Sequence, residues 1–271
     1  MATGRTKQKY WRVYANGYDL SGYSRSIGPL SLEYDEADLT AYMGDVVKGY
    51  LPNMAHISPG TLNAVFDNTA TTGLYALTQS TAGTSRNLMV PIGIRAAPAD
   101  GDPVFCGQFY QDSFNVTEDG GAVTATIQYS GLAADATTHV YAQQPWGILL
   151  HAKAARTEAT GVNTAAGFLN YVGDASTTQG GYFMYQVFAG DGTATLSVQD
   201  SDDWDDPADY DITVATTAVI NCAVPTSGII EVPATTTIRE GLRWQIDFNA
   251  GGGTATTVTF ACAFMRIFDY A

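Results

Sequence analysis

Apolar and polar residues alternate along several segments of this chain of 271 residues. In segment 123–130, Val, Ala, Ile and Tyr alternate with Thr, Gln and Ser, and segments 193–199 and 243–248 follow the same rule. A period of two places successive side chains on opposite faces, which predicts half-buried strands. Segment 258–265 has apolar residues in both rows, and this predicts a strand that is covered on both faces.

Turn-forming residues separate the predicted strands. Segments 118–121, 190–192 and 249–253 are rich in Gly, Asp or Asn and predict hairpin connections. Aromatic-rich segments at 105–114 and 182–189 precede the first two turns and are further strand candidates. Most of the chain therefore has the residue patterns of strands and turns.

Helical periodicity is scarce, and only segments 71–80 and 37–47 predict short helices. Charged residues make up 15% of the chain, well below the usual quarter. A helical bundle is disfavoured, because its exposed faces are normally filled with charged residues. The predicted fold class is mainly β, a β-sandwich or barrel with one or two short helices.

An internal similarity suggests how the chain divides. Segments 121–130 and 192–201 share Gly, Thr, Ile or Val, Gln and Ser at matching offsets. This similarity favours a duplicated unit of aromatic strand, tight turn and polar-faced strand. The predicted division is an N-terminal β lobe at 1–135 and a C-terminal β lobe at 136–271, and the alternative is one interleaved domain.

The charge distribution is uneven. Lys and Arg number 13 against 27 Asp and Glu, which gives a net charge of −14. Such an excess disfavours wrapping of nucleic acid and binding to anionic membranes. Four basic residues nevertheless lie near the start of the chain: Arg5, Lys7, Lys9 and Arg12. They are either a solvated terminus or an inter-subunit arm for an acidic neighbour, such as a second copy.

Seven aspartates lie within the twelve residues 200–211. They are Asp200, Asp202, Asp203, Asp205, Asp206, Asp209 and Asp211. Calcium takes six to eight oxygen ligands, so the segment is a candidate cation loop. The EF-hand pattern fails, because its glycine and glutamate positions hold Asp205 and Asp211. The alternatives are a solvated, self-repelling loop and an electrostatic role in an assembly.

Little else in the sequence points to chemistry. Cys106, Cys222 and Cys262 are far apart and lie in apolar segments, which predicts buried thiols without a disulfide or a zinc site. His151 follows three apolar residues and is predicted to be a buried strand residue. The sequence has no nucleophile elbow, phosphate loop or dinucleotide fingerprint. We therefore expect no enzymatic activity, no cofactor and no membrane span.

Short motifs occur in a characteristic order along the chain. They are Tyr-Ala-Asn-Gly-Tyr-Asp-Leu-Ser-Gly at 14–22, segment 33–43, the Gly-Thr strand at 192–201 with the acidic loop after it, Ile-Arg-x-x-Leu-Arg-Trp at 238–244, the glycines at 251–253, and the apolar strand at 258–266. In this order they resemble the phage major tail proteins, which form the tail tubes of long non-contractile tails.

The resemblance implies a structural virion protein, a β-sandwich that stacks as rings into a hollow tube through which DNA passes into the host. Implied partners are further copies of the chain, as a hexamer or a pseudo-hexameric trimer, and tape-measure, terminator and baseplate proteins. The implied location is the virion tail, assembled in the host cytoplasm. An acidic, hydroxyl-rich lumen would repel phosphate, so DNA would pass without sticking. The basic arm would bridge to the next ring.

Two other classes stay open at this point. In the first, the chain is another virion component, namely a decoration protein, a baseplate ring or a terminator. In the second, it is a carbohydrate-binding β-sandwich module. The 16 Tyr and 4 Trp would supply a sugar platform in the second case, with the acidic loop holding calcium. A hydrolase ranks last, because no nucleophile and base can be paired.

Overall fold

In a computed structural model of the protein, the described residues are 7–38, 50–79, 82–94, 96–131, 145–158, 164–169, 177–203, 206, 209–248 and 255–267. They are mainly β, as the alternation predicts, with one short α-helix and a single 3-10 turn at Gln8–Tyr10. Within these ranges, no helix is long and apolar enough to span a membrane.

The strands of the first half are short at the start of the chain and long near its middle. They are β1 (Tyr14–Ala15), β2 (Tyr18–Asp19), β3 (Ser24–Gly28), β4 (Ser31–Asp38), β5 (Tyr50–Ser58), β6 (Thr61–Val65), β7 (Ser85–Pro91), β8 (Pro103–Asp119) and β9 (Ala122–Ser130). Helix α1 (Leu74–Thr78) lies between β6 and β7.

The strands of the second half begin after residue 144. They are β10 (Trp146–Thr157), β11 (Thr164–Leu169), β12 (Gly181–Gly190), β13 (Thr193–Ser201), β14 (Ile212–Thr216), β15 (Ile220–Asn221), β16 (Thr226–Val232), β17 (Gly241–Asp247) and β18 (Thr257–Arg266).

A large antiparallel sheet has the strand order β16-β12-β18-β10-β8-β7-β1-β2. Strand β8 is 17 residues long and branches, because its later part pairs with β9 as a hairpin that continues to β6 and β3. A second sheet has the order β11-β17-β13-β14, with β15 also pairing with β13. Strands β4 and β5 form a separate two-stranded sheet.

The two rows of β18 belong to different cores. Phe260, Cys262 and Phe264 pack with Trp244 and other residues of the second sheet, which makes this part of the molecule a β-sandwich. The alternate residues of β18 pack with apolar residues of β12, β8 and β7 in another cluster. The prediction that this strand is covered on both faces is confirmed.

A third cluster lies on the N-terminal side. Phe105 and Phe109 of β8 are fully buried there with Leu62 of β6, Ile127 of β9 and Leu74 of α1. The ring planes of Phe105 and Phe109 lie only 10° from parallel, with their centroids 5.7 Å apart. Burial of this many large apolar side chains, at about 1.5–3 kcal/mol for each, fixes β9 and β6 on the large sheet.

Two of the three predicted hairpins are wrong. Segment 118–121 does connect the paired strands β8 and β9. Segment 190–192 instead takes the chain from β12 in the large sheet to β13 in the second sheet. Segment 249–253 lies outside the described residues, but the strands on either side of it, β17 and β18, also pair in different sheets. The two similar segments therefore differ in topology and do not form a repeated hairpin.

One of the two helix predictions is confirmed, and the other is wrong at its start. Helix α1 confirms the prediction at 71–80, although it is only five residues long. The helix predicted at 37–47 is wrong at its start, because Ala37 and Asp38 belong to β4. Residues 39–47, and the predicted lobe boundary between 135 and 136, lie outside the described residues.

Candidate functional site

The described basic residues at the start of the chain lie against the fold. Arg5 is outside the described residues, and Lys7 is exposed. Arg12 donates from Nη1 to the backbone oxygens of Trp11, at 2.9 Å, and Lys9, at 3.3 Å. The Lys9 ammonium lies 4.9 Å from the centre of the Tyr10 ring. From Lys9 onward the predicted arm is therefore a folded segment.

This segment forms one wall of a cleft of about 290 Å³, which we call the basic cleft. It is lined by Lys9, Trp11, Arg12, Val13, Ser21, Ser24, Arg25 and Ile27. Arg25 lies on β3 and is exposed. The indole nitrogen of Trp11 is buried without an acceptor. The sequence analysis missed Arg25, because it lies beyond the basic N-terminal cluster and has no local basic pattern around it.

The acidic segment is organised around an arginine. The backbone N–H of Arg239 donates to Oδ2 of buried Asp200 at 2.9 Å, and its Nη1 lies 3.6 Å from Asp202 and 3.9 Å from Asp211. Burial raises the pKa of Asp200, although Arg239 and Arg266 oppose this. Asp205 lies outside the described residues. In the part of the chain that the structure describes, no three metal-ligating side chains are grouped.

The aspartates at the end of this segment face solvent and one another. Asp206 and Asp209 are exposed. Desolvation and then the nearby charge of Asp206 raise the pKa of Asp209. Like charges held this close favour contact with a cation from elsewhere. The segment is a strongly negative surface.

A second candidate surface is the outer face of the sheet β3-β6-β9-β8. Asn63 donates to Ser26 at 2.9 Å, the hydroxyls of Thr117 and Thr124 are 3.1 Å apart, and Ser130 donates to Asp112 at 2.7 Å. Asn115, Thr126, Ser113 and Gln128 occupy the same face through their register. We call this the polar face, and the alternation at 123–130 indicated one of its strands.

His151 is a buried strand residue, as predicted, and is 1% exposed. Its ring lies 4.6 Å from Trp244 and 4.5 Å from Phe260. Arg156 donates from Nε to Nε2 of His151 at 3.3 Å, and Nδ1 lies 3.7 Å from Oδ1 of Asp100, beyond hydrogen-bonding distance. Burial lowers the pKa of His151, and the Asp100 carboxylate opposes this shift.

The three cysteines are free and buried, as predicted. Desolvation raises the pKa of Cys106 and Cys262 well above the ordinary thiol value and that of Cys222 to about 11. A protonated, buried thiol is a poor nucleophile.

No known protein family and no curated protein matches this chain. Among solved structures it is similar to the SPP1 Dit (gp 19.1) protein, described as a paradigm of the hub adsorption apparatus in Gram-positive-infecting phages. The identity is 11%, the alignment covers 94% of this chain and 99% of that chain, and the TM-score is 0.34.

Proposed function

We propose that this protein is a structural component of a phage tail, located in the virion, that assembles as stacked rings into the hollow tail tube. The observation that carries the proposal is the polar face. On the described residues it presents hydroxyls and amides, with Asp112 at its margin and no lysine or arginine among its paired residues. The one basic side chain on these four strands is Arg25 of β3, at the irregularity in register between Ser24 and Ser26. The motifs at both ends of the chain, which resemble those of major tail proteins, support the same class.

The polar face suits a surface along which DNA moves. Lysine and arginine bind phosphates by releasing counterions, and each such contact adds friction. Hydroxyls and amides on a chain of net charge −14 give no such contacts. We therefore assign the polar face to the lumen of the tube, with DNA as a transient, non-specific passenger.

Open sheet edges provide the means of closure into a ring. Among the described strands, β3 pairs only with β6, and β11 pairs only with β17. An unpaired edge is a template for a strand of another chain. A heterologous contact that closes by rotation makes a ring, and rings of this kind can stack. The tape-measure, terminator and baseplate partners follow from the resemblance alone.

Electron microscopy of the purified protein over a range of salt tests the proposal. We expect hollow tubes with a regular ring repeat, and the number of lobes around a ring distinguishes a hexamer from a trimer. Single rings that never stack would instead identify a terminator or baseplate ring. Monomers under every condition would overturn the assembly function and direct the next test to glycan binding.

The lumen assignment has its own test. Asn115→Lys adds a cation to the exposed polar face, and Val224→Lys adds the same charge at an exposed position of the turn between β15 and β16. DNA that co-sediments with tubes at low salt should increase for Asn115→Lys and stay at the wild-type level for Val224→Lys. Equal retention by both variants would contradict the assignment of this face to the lumen.

A further inference from the structure

We propose that the basic cleft receives aspartate side chains from segment 200–211 of a second copy of this chain. The proposal deepens the assembly function above, on which it rests for the identity of the partner. It joins the two most strongly charged features of the chain, the basic cleft and the acidic segment, into one contact between copies.

The cleft has the chemistry of a binding site for carboxylates. Its lining includes the cationic side chains of Lys9, Arg12 and Arg25 and the hydroxyl-bearing Ser21 and Ser24. No carboxylate is among the lining residues. At about 290 Å³ the cleft lies at the lower limit for small-molecule pockets, so it fits one or two side chains. A carboxylate accepts several hydrogen bonds and carries the opposite charge.

The cations of the cleft have no carboxylate partner within the described part of the chain. The carboxylates of Asp19, Asp202 and Asp211 pair instead with Lys153 and Arg239. Three cationic side chains line this one cleft, and each would be attracted to an incoming carboxylate. The contact is therefore favourable in a chain whose surface is otherwise acidic.

The acidic segment has the complementary charge. The side chains of Asp202 and Asp211 are 81% and 73% exposed, and each shares the single guanidinium of Arg239 at 3.6–3.9 Å. Exposed pairs at this distance contribute little, so these carboxylates are free to meet another cation at small cost. Asp202 and Asp211 pair with Arg239 and not with a residue of the cleft, so we assign the contact with the cleft to the same aspartates of a second copy.

The direct test uses a fluorescein-labelled peptide of residues 200–211 and the full-length protein, with binding followed by fluorescence anisotropy. Arg25→Glu should weaken binding by about tenfold, because it replaces an attraction with a repulsion inside the cleft. Lys7→Glu makes the same charge change outside the cleft lining and should weaken binding less than about twofold. Circular dichroism melts verify that both variants are folded.

Three results would overturn the inference: equal weakening by Arg25→Glu and Lys7→Glu, equal binding of a peptide with asparagine in place of every aspartate, or equal binding of a peptide with the same residues in shuffled order. Loss of binding to the shuffled and asparagine peptides, with dependence on Arg25, supports it.

Assembly of the full chain separates this inference from the proposed function. If wild-type protein forms tubes and Arg25→Glu forms them equally well, the cleft contact is wrong and the tube function stands. If Arg25→Glu blocks stacking and the added change Asp202→Lys restores it, the contact is supported in the assembly. If the wild type never assembles but the peptide binds in an Arg25-dependent way, the tube function fails and the cleft specificity stands.

Discussion

The side-chain oxygen of Gln186 accepts a hydrogen bond of 2.6 Å from the backbone N–H of Gly17, although 169 positions separate the two residues. The amide of the same side chain donates to the backbone oxygen of Asn87 at 2.9 Å. Asn87 in turn donates to Ser227 of β16 at 3.0 Å. These bonds join one end of the large sheet to the other, so the sheet curls around the cluster that contains Met184.

Replacement of Gly17 by alanine should destabilise the protein strongly. Gly17 has φ +82°, and an added Cβ would meet the backbone nitrogen of Thr226 and lie 2.6 Å from the backbone oxygen of Val187. Backbone strain and the clash together should lower the free energy of unfolding by about 2 kcal/mol or more, as measured by urea denaturation. Gly22→Ala is the matched control, because nothing lies within 4 Å of its added Cβ. Equal losses for the two variants would contradict this role for Gly17.

Gln186→Leu should open the junction between the ends of the sheet. The variant leaves the N–H of Gly17 without its partner, whereas the carbonyl of Asn87 keeps the hydrogen bond from the N–H of Asn16 at 3.1 Å. The loss of a buried partner costs about 1–3 kcal/mol for the Gly17 group. Hydrogen exchange at the Gly17 amide should become much faster, whereas exchange in β13 should change little. Unchanged protection of Gly17 would show that another group holds the turn.

The sequence predicted strands better than it predicted their partners. Alternation at 123–130 and 243–248, and the apolar strand at 258–265, all match observed strands. Turn composition at 190–192 marked a turn but not a change of sheet. The reason lies 65 positions away, where the carboxylate of Asp191 accepts hydrogen bonds from the backbone of Thr256 at 2.7 Å and Thr257 at 2.8 Å. Such long-range pairing leaves no local pattern.

In the candidate site, too, the residues that are close in sequence were predicted, and those brought together over a long range were not. Lys9 and Arg12 were predicted as an arm because they stand close together in sequence. Arg25 joins them only because the cleft brings the start of the chain against β3. Similarly, the aspartates of 200–211 suggested a cation loop. In the structure, the guanidinium of Arg239, some thirty positions later, lies beside Asp202 and Asp211 instead.

Acidification should destabilise the protein through His151. Burial lowers the pKa of His151 below its ordinary value near 6.5, so the unfolded chain takes up the proton first. Its contribution to stability is therefore complete above about pH 6.5 and is lost as the pH falls through the folded-state pKa. Protonation of Nε2 would also end the hydrogen bond from Arg156 and bring two cations together on β10. Denaturation at pH 7.5, 6 and 5 measures the effect.

Two variants sharpen the pH test. His151→Gln should flatten the decline between pH 7 and 5, because a neutral amide does not titrate there. Asp100→Asn removes the carboxylate that opposes the shift, so it should lower the pKa of His151 further and extend the loss to lower pH. Asp100 itself has a lowered pKa, and its own contribution is lost only near and below pH 3.8. An unchanged decline in His151→Gln would assign the effect to other groups.

The three cysteines should resist alkylation until the protein unfolds. Cys106 and Cys262 are fully buried and Cys222 is 1% exposed, and a raised pKa keeps each thiol protonated at neutral pH. Because the thiolate is the reactive form, iodoacetamide at pH 8 should leave the native mass unchanged over an hour. The same reagent in guanidinium chloride should add three carbamidomethyl groups. Native labelling of Cys222 alone would show that the turn after β15 opens locally, and labelling of all three at equal rates would indicate global unfolding as the route.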